Sequence, residues 1–179
     1  MKDLGEILGA MVGQKDRVAD ARELLLDMSD LIVKAVGQAF NCKPDEVAIL
    51  LLTADNRHLR FIAPRAFAEL GTIPLTKRDA IAVRVLAGRK GEVINNVPMV
   101  KHVTFFESVK LRDQPKPIQK MVSTPIMARQ QAIGVAEISR KGASAGTAGA
   151  DFSDADLKRA REIFERIGPY LAEARPADF

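Results

Sequence analysis

Residues Gln131–Gly168 read QAIGVAEISRK, GASAGTAGA and DFSDADLKRAREIFERIG, and the order of these three pieces decides how the chain is built. Ile133 to Ile138 is an apolar run of strand length broken by one acid, Glu137. Small residues then carry the chain away to Phe152, and a helix follows. Ser153 is a good N-cap, Asp156 stands three residues on in the place of a capping-box acid, and Asp154 and Asp156 both face the positive end of the helix dipole. From there to about Ala174 one face collects Leu157, Ala160, Ile163, Phe164, Ile167 and Leu171. The piece is therefore a strand, a loop and a helix laid back across a sheet. GASAGTAGA is too small-sided to pack and reads as a mobile connector. Pro169 predicts a kink or an end near Gly168, and residues 175–179 read as a loose tail.

On the N-terminal side, Ile118–Arg129 reads as a strand in which Pro125 is confined to a non-donating position. Gln130-Gln131 turns it into an antiparallel hairpin with the run that follows. Further back, EVAILLLT (Glu46–Thr53) is almost continuously apolar, as a strand covered on both faces must be, and Ala54 to Arg57 turn it into a second hairpin with His58–Ala63. His58 reads as a strand-start residue rather than a ligand. Thr76 and Asp79 form a second capping-box pattern at the head of a helix over Lys77–Gly88, and Gly91–Pro98 reads as a short strand running into a turn. The result is a sheet of about five or six strands. Met99–Pro117, with Phe105 and Phe106, has no clear period and reads as a long cover segment, a kind of loop that often carries function.

From Leu4 to Cys42 apolar residues recur every seven positions. Leu4, Met11, Val18, Leu25, Ile32 and Ala39 form one series, and Ile7, Ala21, Met28, Ala35 and Cys42 the other. Gly5, Gly9 and Gly13 weaken its first turns, so the pattern predicts a frayed or separately oriented segment over 1–15 and a strong helix from Asp16 to Phe40. Residues 16–174 then make one domain. The heptad stripe suits packing on the chain's own sheet and also pairing with a second copy, and both readings stand.

Composition removes several classes. A single cysteine, Cys42, allows no intramolecular disulfide and suits a reducing compartment, so a cytoplasmic location is expected. The two histidines, His58 and His102, lie far apart, and no metal-ligand spacing is present. No apolar block has the length of a signal peptide or a spanning helix, so no membrane is expected. The formal net charge of +4 is spread along the chain, and with no Trp and one Tyr there is no platform for nucleic-acid bases. No nucleophile-base pair or phosphate loop is visible, so no enzyme is expected and no catalytic residue is named.

Three stretches in this order resemble the GAF domain family: LLLTADNRHLRFIA as its first hairpin, IPLTKRDAIAVRVLAGRKGEVINNV as its central helix and strand, and GVAEISRK with FSDADL as its closing strand and helix. The resemblance covers roughly Arg22 to Ala172. It implies an α+β fold with a central antiparallel sheet, the N- and C-terminal helices on one face, and a ligand pocket roofed by the cover segment on the other. It implies a non-enzymatic sensory module for an unknown small molecule, homodimeric through residues 16–40 and the C-terminal helix and acting on a separate output protein. A pocketless domain serving as an interaction scaffold is the alternative. Cyclic-nucleotide-binding relatives carry an Asn-Lys, then Phe, then Asp-Glu; here Lys141, Phe152 and Asp156 match, but Arg140 and Leu157 replace the Asn and Glu. Free methionine sulfoxide reductases of this fold use several cysteines, which a single Cys42 disfavours.

Within that frame the candidate ligand contacts are Phe105, Phe106, Lys101 and Arg112 in the roof and Thr124, Glu137 and Ser139 on the floor. A half-buried Glu137 needs donors, from a ligand amine or ring nitrogen or from a neighbouring side chain. Ser123 and Thr124 read either as ligand contacts or as ordinary strand hydroxyls. Lys101, His102, Lys110, Arg112, Lys116 and Lys120 give the roof a positive excess that suits a phosphate or carboxylate, or simply a solvated loop.

Overall fold

The computed structural model describes residues 2–15, 20–69, 71–100 and 116–179, without the side chains of Lys2 and Asp3. Helices α1 (Lys2–Val12) and α2 (Ala21–Phe40) come first, then strands β1 (Val47–Leu52), β2 (His58–Ala63) and β3 (Thr72–Pro74). Helix α3 (Ile81–Gly88), β4 (Glu92–Ile94), β5 (Ile118–Ala128), β6 (Gln131–Lys141) and α4 (Asp154–Ala174) complete the order. The strands form one six-stranded sheet in the order β3-β2-β1-β6-β5-β4, antiparallel throughout. Side chains alternate across each strand, so two cores result. Val47, Ile49, Leu51, Val122, Ile126, Ala136 and Ile138 face α1, α2 and α4, while Ala48, Leu50, Phe61, Met121 and Val135 face α3 and its flanking turns. This is the expected fold: an antiparallel sheet packed against the terminal helices.

Local chemistry explains the ends that hold it. Asp20 caps α2, its carboxylate accepting from the N–H groups of Arg22 and Glu23. The Ser153–Asp156 capping box forms as its sequence predicts, and the N–H and hydroxyl of Ser153 hold the Asp156 carboxyl below its usual range. Arg129 and Gln130 both take positive φ (48° and 65°), the twist a two-residue hairpin between β5 and β6 demands. Pro125 sits on β5 opposite Val135 of β6, beyond the end of β4, whose pairing stops at Ser123. Its missing donor therefore faces no partner strand.

Several expectations are corrected. The start is the separate segment and is not frayed: Leu4, Leu8 and Val12 of α1 are buried in the first core, and Gly5 and Gly9 face the Tyr170 ring of α4. The heptad stripe divides between α1 and α2 as expected, and its Leu25, Met28 and Ile32 are fully buried within the chain. Thr76 and Asp79 do not cap α3; residues 75–80 form successive turns, and Ala80, without a side-chain bond, is the N-cap. GASAGTAGA is packed, with Ala148 buried against Gly142 and the Gly149 carbonyl accepting from Lys120 Nζ at 2.6 Å. The tail is anchored, since Phe179 is buried, its carbonyl accepts from the Ala54 N–H at 2.7 Å, and Arg60 stacks on its ring.

Helix α4 does not end at Gly168 but runs through Pro169 to Ala174. Gly168 is there for a different reason: any Cβ at that position would collide with the Met127 carbonyl of β5. Only a glycine lets α4 approach the sheet so closely.

Candidate functional site

The antiparallel register brings four residues into one row across the sheet. Glu92 of β4 stands opposite Ser123 of β5, Ser123 opposite Glu137 of β6, and Glu137 opposite Ala48 of β1. Residues directly opposite share a face, and Ala48 belongs to the second core, so the row faces away from the terminal helices. Glu137 and Ser139 thus lie on the face expected of a floor. Thr124 does not: it pairs with Ala136, whose side chain belongs to the helix-facing core. The alternation that puts Ser123 on the floor turns Thr124 away, and this corrects its place among the ligand contacts.

Glu137 is 4% exposed, and no hydrogen bond to its carboxylate is present among the described residues. Burial, and then the charge of Glu92, push its carboxyl up from 4.5 to about 7. Glu92 itself is compensated by Arg84 of α3, whose Nη2 donates to both carboxylate oxygens at 2.8 and 3.0 Å. Ser123 is fully buried and its hydroxyl has no partner among the described residues. Ser139 is occupied, donating to the Glu46 carbonyl at 2.9 Å. Glu46 in turn accepts the Lys141 N–H, and Lys141 Nζ is held by Asp45 Oδ2 at 2.8 Å. Between Glu46, Ala48, Ile118, Met121, Glu137 and Ser139 lies a cleft with a volume of about 10 Å³, the space of one water.

Lys101, Phe105, Phe106 and Arg112, with His102 and Lys110, lie outside the described residues. Lys120 belongs elsewhere than the roof: it is 5% exposed, pairs across β5–β6 with Arg140, and reaches Asp151 at 2.7 Å. The three residues that match the nucleotide-linked pattern have structural roles. Lys141 holds Asp45, Phe152 lies under the Arg140 guanidinium at 4.7 Å, and Asp156 caps α4. Cys42 packs against the helix-facing core, away from Glu137, and burial pushes its thiol up to about 11. Among the described residues no group of three or more His, Cys, Asp or Glu is placed to hold a metal ion, and no helix is long and apolar enough to cross a membrane.

Glu92 of this row and its partner Arg84 of α3 carry no signal of their own in the sequence. Only the register of β4 on β5 shows that Glu92 shares a face with Glu137. Alternation along Gly91–Pro98 is the one local hint that was there to be read.

Several solved structures share this arrangement. The GAF domain of a phosphoenolpyruvate-protein phosphotransferase from Acinetobacter matches with a TM-score of 0.62 at 16% identity, over 94% of this chain and 92% of that one. Its counterpart from Coxiella burnetii matches with a TM-score of 0.64 at 11% identity, over 96% and 94%. A type II free methionine-R-sulfoxide reductase from Thermoplasma acidophilum matches with a TM-score of 0.60 at 15% identity, over 86% and 96%. At such identities the likeness is one of fold. No curated protein matches the sequence. The GAF domain family itself matches residues 24–171, from the second turn of α2 almost to the end of α4. A sheet in the order β3-β2-β1-β6-β5-β4, closed by α2 and α4 on one face, and a family match across all of these elements lead to one conclusion: the chain belongs to the GAF domain family.

Proposed function

We propose that the chain is a non-enzymatic sensory module that takes a small molecule on the sheet face opposite its terminal helices. The observation that carries this reading is the buried carboxylate of Glu137, raised by burial and by Glu92, beside a Ser123 hydroxyl that has no partner among the described residues. Polar groups buried without partners cost stability, and a ligand that supplies the missing bonds recovers it. The cysteine chemistry of the reductases has no counterpart here, since Cys42 is the one cysteine and its thiol is held protonated on the other side of the sheet. Such a lone thiol suits the reducing cytoplasm.

Signal transfer runs from the floor through the sheet to α1, α2 and α4, which share one core with its other face. A ligand shifts those helices only if its contacts differ between two arrangements. A second copy would pair through the outer sides of the terminal helices, where Ile7 of the heptad stripe and Leu31 stay exposed while Leu25, Met28 and Ile32 do not. Output then belongs to a separate protein. The experiment is a thermal-shift screen of nucleotides, amino acids and oxo acids, with a solution mass measurement beside it. At least one class should raise the melting temperature. A screen without any shift refutes sensing and favours an interaction scaffold.

A further inference from the structure

Strand β4 is short, yet it meets both layers of the fold. Alternation along the chain puts Glu92 and Ile94 on the side of α3 and the second core, and Gly91, Val93 and Asn95 on the side of the terminal helices. Each position on the helix side is fitted to α4 or its core. A Cβ on Gly91 would crowd Leu157 of α4 and collide with the Ser123 carbonyl, and Val93 packs against the helix-facing core. Asn95 makes the polar hold: its Nδ2 donates to the Phe152 carbonyl and its Oδ1 accepts from the Phe152 N–H, each at 2.9 Å. A primary amide has a donor and an acceptor side by side, so Asn95 pairs with Phe152 much as a peptide group of a neighbouring strand would.

Phe152 immediately precedes Ser153, the N-cap of α4, and is itself buried under the Arg140 guanidinium. Holding its backbone therefore holds the point from which the capping box is laid. On the other side of β4 the Arg84 guanidinium of α3 grips Glu92, with Nη2 at 2.8 and 3.0 Å from the two carboxylate oxygens and Nε at 3.2 Å. Such a fork has a defined geometry, so α3 and β4 move together. β4 pairs with β5 over Glu92–Ile94 alone and ends the sheet among the described strands. The sheet resists its displacement less than that of β5 or β6.

We infer that β4 couples α3 to the first turn of α4, with Asn95 as the positioning residue that carries the coupling. A shift of α3 draws on Glu92, β4 follows, and Asn95 either keeps Phe152 in place or releases it. The two states are the first turn of α4 closed on its cap and the same turn open, a local equilibrium that a small displacement biases. The inference rests on the reading of the domain as a sensory module and names the element through which a ligand bound on the α3 side reaches α4. Such a ligand acts only if it favours one of the two states.

The test is amide hydrogen exchange by NMR on the ligand-free full chain. The reporters are the N–H groups of Asp156 and Leu157, which donate to Ser153 Oγ and to the Ser153 carbonyl, read relative to Val36 of α2 so that a general loss of stability cancels. Asn95→Ala should raise their exchange about tenfold, the effect of losing the Asn95 hydrogen bonds. Arg84→Gln, which touches nothing on α4, should raise it severalfold in the parent and leave it unchanged once Asn95→Ala is present. Asn95→Asp keeps the acceptor for the Phe152 N–H and loses the donor, so it should fall between, and it carries the same comparison if Asn95→Ala does not fold. An Arg84→Gln that is silent at Asp156 and Leu157, or whose effect is the same with and without Asn95, overturns the inference, because coupling through a residue must vanish when that residue is removed. If that happens while a compound of the thermal-shift screen binds, the route through β4 falls and the sensory reading stands. If the coupling is found and nothing in the screen binds, the route stands and the sensory reading falls.

Discussion

Replacing Glu137 with glutamine removes a charge that the fold holds at a cost, and the ligand-free protein should become more stable above neutral pH. The carboxyl titrates at about 7 in the folded chain against an ordinary 4.5, chiefly through burial. Between these values the unfolded chain has released the proton while the folded chain still binds it. The folded state therefore binds more protons than the unfolded one, and stability falls as pH rises. The contribution is intact below pH 4.5, is lost progressively up to pH 7, and above that the penalty levels off at about 3 kcal/mol. A buried glutamine amide still needs partners, and with one N–H left unpaired it gives back about 1 kcal/mol. Urea unfolding of parent and variant at pH 5, 6, 7 and 8 should show a difference that grows by about 2 to 3 kcal/mol across the series, with unchanged m-values. A variant that is less stable at pH 8, or a difference that ignores pH, would mean that the carboxylate is already matched by a cation of the chain. That result would remove the physical basis of the site.

Two further substitutions probe the scaffold by urea unfolding. Leu8→Ala should cost about 2 to 5 kcal/mol, because Leu8 is fully buried in the first core, whereas the exposed Ile7→Ala should cost little; a small loss for both would return α1 to the frayed state its glycines suggest. Gly168→Ala sets helix propensity, which favours alanine by about 1 kcal/mol, against the close approach to Met127. The collision should win, with a net loss of about 1 to 3 kcal/mol, and a gain in stability would show that α4 can back away from β5.

The elements read correctly from sequence are those whose signal is local. The capping box of Ser153 and Asp156 is local, and the β1–β2 hairpin rests on two strand-length apolar runs around a short turn, so each forms almost wherever it is placed. The misreadings share an opposite cause. The glycines of α1 lower its intrinsic helicity, yet Leu4, Leu8 and Val12 find a core to cover, and tertiary burial outweighs propensity. Thr76 and Asp79 have the right spacing for a cap, but the chain turns again before Ile81. Phe179 reads as a tail until the end of β1 and the Arg60 side chain give it somewhere to pack.

The candidate site divides in the same way. Glu137 was legible because a single acid in an apolar strand is a local anomaly. Which hydroxyl accompanies it was not, since Ser123 and Thr124 are adjacent and their sequence is silent on which parity of β5 faces the helices. The sequence by itself determined the family, the hairpins and the helix caps, because periodicity and capping act over a few residues. Only the tertiary structure decided that Glu92, Ser123 and Glu137 stand in one row, that Arg84 serves Glu92 and no described cation serves Glu137, and that Leu25, Met28 and Ile32 of the heptad stripe are buried within the chain. Those facts depend on strand register and helix docking, which are fixed by the fit of whole faces and not by any segment alone.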